Sequence, residues 1–318
     1  MKSPLFVTLA LVATAALAPT GPEASAQQAS NASTVLSPVR SPRIPEKAKF
    51  ADTEYDLDRI DLYERLDREL TAISYTHGNT LLLLKRANRY FPEILPILKK
   101  NGVPEDIIYL ACIESSLNPR AYSPAKAAGI WQFIPSTAKQ YGLEVNEYVD
   151  ERYDVEKATA AACRFLKSLK AKYGDWESVA AAYNAGPARI TKELDAQLAS
   201  TAMDLYLNEE TTRYMFRILA TKLIMENPRA YGFALTPDQF YTPIEYDIVE
   251  VNTPVEDWPS WAKKHGISYA QLKDANMWIR DKTLPNKTGK TYRVRVPKRD
   301  SLHRSTASKN IYNPAWVK

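Results

Sequence analysis

Apolar residues recur at steps of three and four along much of the chain, a spacing that is typical of amphipathic helices. The clearest series runs through Leu57, Ile60, Tyr63, Leu66, Leu70 and Ile73. The same pattern predicts further helices over residues 80–90, 93–100, 104–116, 155–170, 176–184 and 209–226, with Asp154 as the N-cap of the helix that follows it. No segment before residue 240 alternates convincingly, so we expect one all-helical domain over residues 51–240.

The pattern changes after residue 240. Residues 246–251 alternate weakly and residues 292–296 alternate cleanly, which predicts two strands. Two short helices are predicted between them, over residues 258–265 and 268–276, and Ser268 is the expected N-cap of the second. The expected fold class is therefore mainly α, with a small α+β domain (β-α-α-β) over residues 241–298. Residues 299–318 are basic and polar, and they predict a flexible tail.

The N-terminal segment has the features of a secretory signal peptide. Lys2 precedes an apolar run over residues 4–18, which is shorter than the about 20 residues that a membrane-spanning helix needs. A small-residue site follows at residues 24–26, so we expect a signal peptide over residues 1–26. The alternative is an uncleaved N-terminal anchor. Residues 27–50 are rich in Ser, Ala and Pro, and they predict a disordered linker.

The signal peptide predicts a periplasmic or exported protein with no stable membrane span after cleavage. Its two cysteines, Cys112 and Cys163, lie far from the cleavage site, so no lipoprotein anchor is expected. They are compatible with one structural disulfide or with two buried thiols.

Composition excludes several classes of protein. Two cysteines are too few for a four-cysteine zinc site, and the three histidines lie too far apart for a local metal motif. We therefore expect no metal and no cofactor. The 42 Lys and Arg exceed the 37 Asp and Glu by less than nucleic-acid binding usually requires, so no nucleic-acid partner is expected.

Glu114 is the candidate catalytic acid. It falls in the last turn of a predicted helix that is otherwise apolar. The partial negative charge of a helix C-terminus and the loss of solvent both disfavour a carboxylate, so both raise its pKa. A carboxyl group that stays protonated near neutral pH can protonate a leaving glycosidic oxygen. The alternative is an ordinary surface charge at a helix end.

Four motifs surround and follow Glu114: IESSLNP, SPAKAAGIWQFIPSTA, AAYNAGP and ETTRY. In this order they resemble the soluble lytic transglycosylase and goose-type lysozyme family, and in particular its lytic murein transglycosylase D group. The resemblance is strong over about residues 90–231. It implies a lysozyme-like catalytic domain that cleaves the β-1,4 bond between N-acetylmuramic acid and N-acetylglucosamine, and that forms 1,6-anhydro ends. Glu114 matches the single acid/base of the family.

The matched motifs also imply the residues that bind substrate. They are Ser123, Trp131, Gln132, Tyr183, Asn184 and Tyr214, and the tyrosine at position 214 matches the one whose hydroxyl points at the catalytic carboxyl. Aromatic side chains suit pyranose rings, and amides suit hydroxyl and acetamido groups. Some alternatives stay open. Trp131 could belong to the core, Ser123 could be a turn residue, and Gln132 and Asn184 could cap buried backbone.

The resemblance leaves two other functions open. One is hydrolysis as in goose-type lysozyme, which would need a second acid, with Asp150 or Asp154 as the candidates. Otherwise we expect Asp154 to act as an N-cap and the remaining acids of the loop, Asp150 and Glu151, to be solvated. The other function is a non-catalytic protein that binds peptidoglycan. Arg213 has no assignable role, because the basic residue of the ETTRY motif is displaced by one position from the commoner pattern.

Residues 246–297 resemble a diverged LysM module, a small fold that binds N-acetylglucosamine chains. The segment over residues 262–268 carries this resemblance, whereas the usual G-D-T loop after the first strand is missing. The module could bind glycan or could be a packing domain. The expected partners are the glycan strands of peptidoglycan, and other cell-wall proteins stay open as further partners.

Overall fold

The computed structural model describes residues 40–318, so the predicted signal peptide and most of the predicted linker lie outside the described residues. Helices predominate up to residue 226, and a two-stranded sheet follows in the C-terminal region. The prediction of a mainly α fold with a small α+β unit is confirmed. In the described part of the chain, no helix is both long enough and apolar enough to cross a membrane.

Eight α-helices precede residue 240 in the described chain. They are α1 (Ile60–Tyr75), α2 (His77–Lys100), α3 (Ile108–Ser115), α4 (Pro135–Gln140), α5 (Val155–Tyr173), α6 (Trp176–Ala185), α7 (Pro187–Gln197) and α8 (Glu209–Glu226). The short helix α3 packs against α2 and α8, and α5 packs against α2 and α6. This arrangement places the C-terminal end of α3 beside α8.

The helix α2 differs from the prediction of two helices over residues 80–90 and 93–100. It continues through Pro92 and Pro96. Proline in a helix removes one backbone hydrogen bond and crowds the preceding turn. Here the helix nevertheless keeps one apolar face buried on both sides of Pro92, through Phe91, Ile94 and Leu98. Burial of this face therefore outweighs the local cost of proline.

Two other helices were not predicted. Both α4 and α7 begin with proline at the first helical position, where its missing N–H costs nothing. Each buries only one residue, Ala138 in α4 and Ile190 in α7. Their apolar periodicity is therefore too weak to detect, although Pro135 and Pro187 mark their first turns.

The N-terminal end of the described chain forms a hairpin. Strand β1 (Lys47–Phe50) pairs antiparallel with β2 (Thr53–Asp56), with Ala48 opposite Tyr55. The predictions of a disordered linker through residue 50 and of no strand before residue 240 are therefore wrong here. Phe50 is 0% exposed and Tyr55 is 7% exposed. Four-residue strands are too short for their alternation to stand out in the sequence.

The predicted β-α-α-β unit is present. It consists of β3 (Tyr246–Val251), α9 (Trp258–Lys264), α10 (Tyr269–Ala275) and β4 (Tyr292–Pro297). The two strands are antiparallel, and Val249 lies opposite Val294. Ser268 caps α10 by accepting a hydrogen bond from the backbone N–H of Gln271 at 3.1 Å, as predicted.

The chain beyond residue 309 returns to the helical core. Trp316 is 1% exposed, and its Nε1 donates to the carbonyl oxygen of Met225 at 2.6 Å. Its ring stacks on Phe240 and meets Phe91 edge-on. The prediction of a flexible tail over residues 299–318 is therefore wrong for its last part. The segment is predominantly basic and polar, so its composition did not indicate that Trp316 packs in the core.

Cys112 and Cys163 are both buried free thiols. The Cys112 Sγ atom lies 4.0 Å from the Sδ atom of Met225. Of the two alternatives for this pair, the structure has the buried thiols.

Candidate active site

Glu114 lies in the last turn of α3, and the backbone after it reverses sharply. Ser116 and Leu117 both adopt left-handed conformations, with φ of 51° and 52°. The helix therefore ends at Ser115, one residue after the glutamate. The half-buried side chain of Glu114 lines a cleft of about 740 Å³ between α3, α6, α8 and the segment over residues 116–134, which we call the cleft loop.

Burial raises the pKa of Glu114 to about 7, and the Glu210 carboxylate adds to this effect. Two groups oppose it. The Tyr214 hydroxyl donates to Glu114 Oε1 at 2.5 Å, and the positive charge of Arg217 also lowers the pKa. Burial has the larger effect, so a substantial fraction of Glu114 is protonated at neutral pH. Burial and the neighbouring Glu114 raise the pKa of Tyr214 well above its usual value, which keeps this hydroxyl a donor.

Hydrogen bonds from Ser115 and from Arg152 hold the cleft loop in place. The Ser115 hydroxyl donates to the carbonyl oxygen of Ile130 at 2.9 Å, which ties the loop to the end of α3. On the other side, Arg152 donates to the carbonyl oxygens of Lys126 at 2.6 Å and of Phe133 at 2.9 Å. A buried guanidinium thus holds two backbone positions of the loop beside the catalytic candidate.

Gly129 is required where the cleft loop crosses the backbone of Arg152. Its φ is +77°, and a Cβ atom at this position would lie 1.9 Å from the Arg152 carbonyl oxygen. No other residue fits without a shift of backbone. The close approach explains the glycine in the GIWQ sequence.

Five of the predicted substrate-binding residues line the same cleft as Glu114. They are Ser123, Gln132, Tyr183, Asn184 and Tyr214. The Gln132 amide nitrogen donates to the carbonyl oxygen of Gly129 at 2.9 Å, and the Tyr183 hydroxyl donates to that of Trp131 at 2.7 Å. Ser123 Oγ accepts from the backbone N–H of Ala127 at 3.1 Å. These bonds fix the side chains before any ligand binds.

Trp131 is the exception. It is 0% exposed, it does not line the cleft, and its Nε1 donates to Thr159 Oγ1 at 2.8 Å. The prediction that Trp131 contacts substrate is therefore wrong in this conformation, and the alternative of a core residue is correct. The two adjacent side chains point to opposite sides, since Gln132 faces the cleft while Trp131 faces α5.

Comparison with known proteins assigns both parts of the chain. Residues 94–203 match the family model of the transglycosylase SLT domain, and residues 247–300 match that of the soluble lytic transglycosylase C-terminal LysM-like domain. This chain carries an SLT domain followed by a LysM-like domain.

Relatives of the chain agree with this assignment. It is 36% identical over 262 residues to membrane-bound lytic murein transglycosylase D of Escherichia coli (strain K12), an alignment that covers 80% of this chain and 55% of the relative. The chain thus spans about half the length of the curated relatives it matches.

Two solved structures are more distant. The 70 kDa soluble lytic transglycosylase of Escherichia coli has 19% identity and a TM-score of 0.38, over 54% of this chain and 33% of that one. An inactive variant of lytic transglycosylase Slt from Pseudomonas aeruginosa has 20% identity and a TM-score of 0.35, over 43% and 24%.

The acidic loop before α5 lies outside the SLT-domain cleft. Asp150 forms an ion pair with Arg152 at 2.7 Å, and Glu151 pairs with Lys157 at 2.6 Å and with Lys290 at 2.9 Å. The expectation of a solvated loop is therefore wrong for these two acids, which are 6% and 3% exposed. Asp154 accepts from the backbone N–H of Lys157 at 3.0 Å, so its prediction as an N-cap is confirmed.

Two charged residues that line the cleft, Glu210 and Arg217, were not among the predicted site residues. Both lie on α8, four residues before Tyr214 and three residues after it, so the three share one helix face. Their spacing from Tyr214 on the predicted helix could have indicated that both residues face the cleft. Arg213 lies off that face and forms an ion pair with Glu69 at 2.6 Å, which gives it a structural role.

Within residues 40–318, no group of three or more His, Cys, Asp and Glu side chains is placed to hold a metal ion.

Proposed function

We propose that this chain is a peptidoglycan lytic transglycosylase with Glu114 as its single acid/base. The reaction would cleave the β-1,4 bond between N-acetylmuramic acid and N-acetylglucosamine and leave a 1,6-anhydro-muramyl end. The observation that carries the proposal is the Glu114–Tyr214 pair: a carboxyl group with a pKa of about 7, held by a tyrosine hydroxyl at 2.5 Å in a cleft. The 36% identity to a lytic murein transglycosylase supports it.

In the first step, protonated Glu114 donates its proton to the glycosidic oxygen. The bond between this oxygen and the muramyl C1 breaks, and its electron pair leaves with the oxygen. The carbonyl oxygen of the muramyl 2-acetamido group attacks C1 and forms an oxazolinium ion. Such substrate assistance replaces the second carboxylate that most glycosidases use.

In the second step, the Glu114 carboxylate accepts the proton of the muramyl 6-hydroxyl. The freed oxygen attacks C1, displaces the acetamido oxygen and closes the 1,6-anhydro ring. No water is consumed, and Glu114 is protonated again for the next cycle. Attack from within the same sugar is favoured, because a held nucleophile has a high effective concentration. Tyr214 keeps the carboxyl group in one orientation through both steps.

The remaining cleft residues would bind the sugars. The ring of Tyr183 offers an apolar face for a pyranose, while Gln132 and Asn184 offer amide groups to hydroxyl or acetamido groups. Ser123 lies on the cleft loop and would contact the acetamido group or a nearby hydroxyl. Because most of these side chains are already hydrogen-bonded to backbone, little ordering is required on binding.

Peptidoglycan lies outside the cytoplasm, so the proposed substrate requires export. The signal peptide predicted over residues 1–26 would direct the chain to the periplasm or beyond. The LysM-like domain would meet the same polymer, either by binding its glycan strands or only by supporting the SLT domain.

The structure does not place either candidate second acid of the hydrolase alternative at the cleft. Hydrolysis would need a second carboxylate to activate water, and neither Asp150 nor Asp154 lines the cleft. Glu210 does line it, but its side chain is exposed to solvent. The non-catalytic alternative gives no role to the Glu114–Tyr214 pair in the cleft.

The proposal is tested by replacing the acid with its neutral isostere. Glu114→Gln should lower kcat on isolated sacculi by at least about 10²- to 10⁴-fold, the usual contribution of a positioned general acid, while binding of glycan strands is retained. Glu105→Gln is the matched control, since it makes the same chemical change at an exposed position just before α3, outside the cleft. Activity retained by Glu114→Gln would exclude this residue as the acid.

A further inference from the structure

We propose that Arg217 binds a carboxylate of the substrate and gives the enzyme a preference for glycan strands that carry peptide stems. This inference rests on the proposed function and concerns the same cleft. It assigns a role to a cation that belongs to none of the four sequence motifs.

Arg217 is placed on the wall of the cleft that carries Tyr214. Glu210, Tyr214 and Arg217 all line the cleft from one face of α8. At 1.5 Å of rise per residue, Arg217 lies about 4.5 Å further along the helix axis than Tyr214, and Glu210 lies about 6 Å before it. The wall therefore has an acidic end and a basic end, with the partner of the catalytic carboxyl between them.

The guanidinium of Arg217 has no protein partner in the structure from residue 40 onwards. It is half-buried, yet it makes no hydrogen bond or ion pair with another side chain or with a backbone carbonyl. Two other half-buried arginines of the helical part are hydrogen-bonded: Arg86 donates to the carbonyl oxygen of Ser116 at 3.1 Å, and Arg89 to that of Thr242 at 2.9 Å. Arg217 thus presents unused N–H donors to the cleft.

The chemistry of these donors selects a carboxylate. A guanidinium offers parallel N–H groups whose spacing matches the two oxygens of a carboxylate, and such charged pairs are stronger than bonds to neutral hydroxyls. The sugars of peptidoglycan are otherwise neutral, and its carboxyl groups belong to the muramyl lactyl group or to the peptide stem. In strands that carry stems, the lactyl carboxyl is consumed in an amide bond. The free carboxylate then comes from the stem.

The alternative is that Arg217 affects catalysis only through Glu114, because its positive charge lowers the pKa of that carboxyl. In that case, removal of the charge would change catalysis on every substrate to the same extent and would shift the pH profile. Dependence on a substrate carboxylate separates the two roles.

The test compares three forms of the same glycan strands: with intact stems, with stems removed by an amidase, and with stems removed and the lactyl carboxylates converted to neutral amides. Arg217→Gln is assayed against wild type on each. Arg189→Gln is the matched control, since it removes the same charge from an exposed position on the neighbouring helix α7, outside the cleft lining.

We expect the ratio of kcat/KM on stem-bearing strands to kcat/KM on neutral strands to fall by roughly tenfold to a hundredfold in Arg217→Gln, mostly through KM. On the neutral strands the variant should differ from wild type only through the shifted pKa of Glu114. Arg189→Gln should match wild type on all three. A fall confined to the stripped, charged strands would make the lactyl carboxylate the ligand and would contradict the preference for strands that carry stems. An equal fall on all three forms, or no fall on any, would overturn the proposal.

Failure of the proposed function looks different, because wild type would then cleave none of the three forms or would leave reducing ends on all of them. To test Arg217 in either case, the three ligands are also titrated by calorimetry into Glu114→Gln with and without Arg217→Gln. Weaker binding limited to the carboxylate-bearing strands supports the site. Equal affinities in the two proteins contradict it.

Discussion

At the scale of single residues, Glu114 differs from the surface acids of this protein in what surrounds its carboxyl group. The pKa values of Asp61 and Glu209 are lowered, mainly because each accepts a hydrogen bond from an adjacent arginine. Among residues 40–318, the Glu114 carboxyl accepts a hydrogen bond only from the Tyr214 hydroxyl, and burial has the largest effect on its pKa. The position of Glu114 at the end of an apolar helix favours such burial, and together with the motif resemblance it indicated this residue in the sequence.

The raised pKa predicts the pH dependence of catalysis. The acid must start protonated, so kcat should fall as pH rises through about 7. The Tyr214 hydrogen bond lowers the pKa of Glu114, so its removal in Tyr214→Phe should move this fall to higher pH. Tyr183→Phe is the control, because its hydroxyl bonds to Trp131 and not to Glu114. A pH profile of Tyr214→Phe that is unchanged, or displaced to lower pH, would contradict this account.

At the scale of elements, the catalytic geometry depends on how the cleft loop is held between α3 and Arg152. Hydrophobic periodicity cannot predict the conformation of this loop, because tertiary contacts determine which way its side chains point. Trp131 packs on α5, whereas the adjacent Gln132 lines the cleft. The motif resemblance predicted that both Trp131 and Gln132 contact substrate. In the structure only Gln132 lines the cleft, and Trp131 belongs to the core. By contrast, the bounds of α8 and β3 follow directly from the apolar pattern. The prediction failed at α2, where burial of a continuous apolar face overrides two prolines.

Gly129 is the position at which the loop tolerates least change. Gly129→Ala should place a methyl group against the Arg152 carbonyl oxygen and displace the loop, with at least a tenfold loss of kcat/KM. Gly174→Ala is a matched control: its φ is +81° and nothing lies within 4 Å of its would-be Cβ atom, so it reports the backbone strain alone. That strain should cost about 1–2 kcal/mol of unfolding free energy in both variants. Urea unfolding should show a larger loss for Gly129→Ala, and equal losses with normal activity would refute the close approach.

At the scale of the whole molecule, the LysM-like domain and the C-terminal segment both contact the helical part of the chain. The backbone N–H of Asp150 donates to the carbonyl oxygen of Trp278 at 2.9 Å, and Lys290 reaches Glu151 at 2.9 Å. Asp150 in turn pairs with Arg152, which holds the cleft loop. A chain of direct contacts thus connects the LysM-like domain to the candidate active site. The sequence could not predict it, since these residues are distant along the chain.

The C-terminal segment should contribute measurably to stability. Trp316→Ala removes a fully buried indole and its hydrogen bond to Met225, so it should lower the free energy of unfolding by about 3–5 kcal/mol. Tyr312→Ala is the control, since that neighbouring ring is 44% exposed and should cost clearly less. Denaturant unfolding measures both. Two equally small losses would show that the segment does not belong to the core.

The measurement that most directly tests the central claim is the mass of the muramyl ends released from sacculi by the wild-type chain. Digestion in water enriched in heavy oxygen, followed by mass spectrometry, separates the two reactions. We expect 1,6-anhydro-muramyl ends, lighter by one water than reducing ends and free of heavy oxygen, because the nucleophile is the sugar's own 6-hydroxyl. Reducing ends that carry heavy oxygen would mean that water attacks C1, and would contradict the claim that Glu114 alone acts as acid and base.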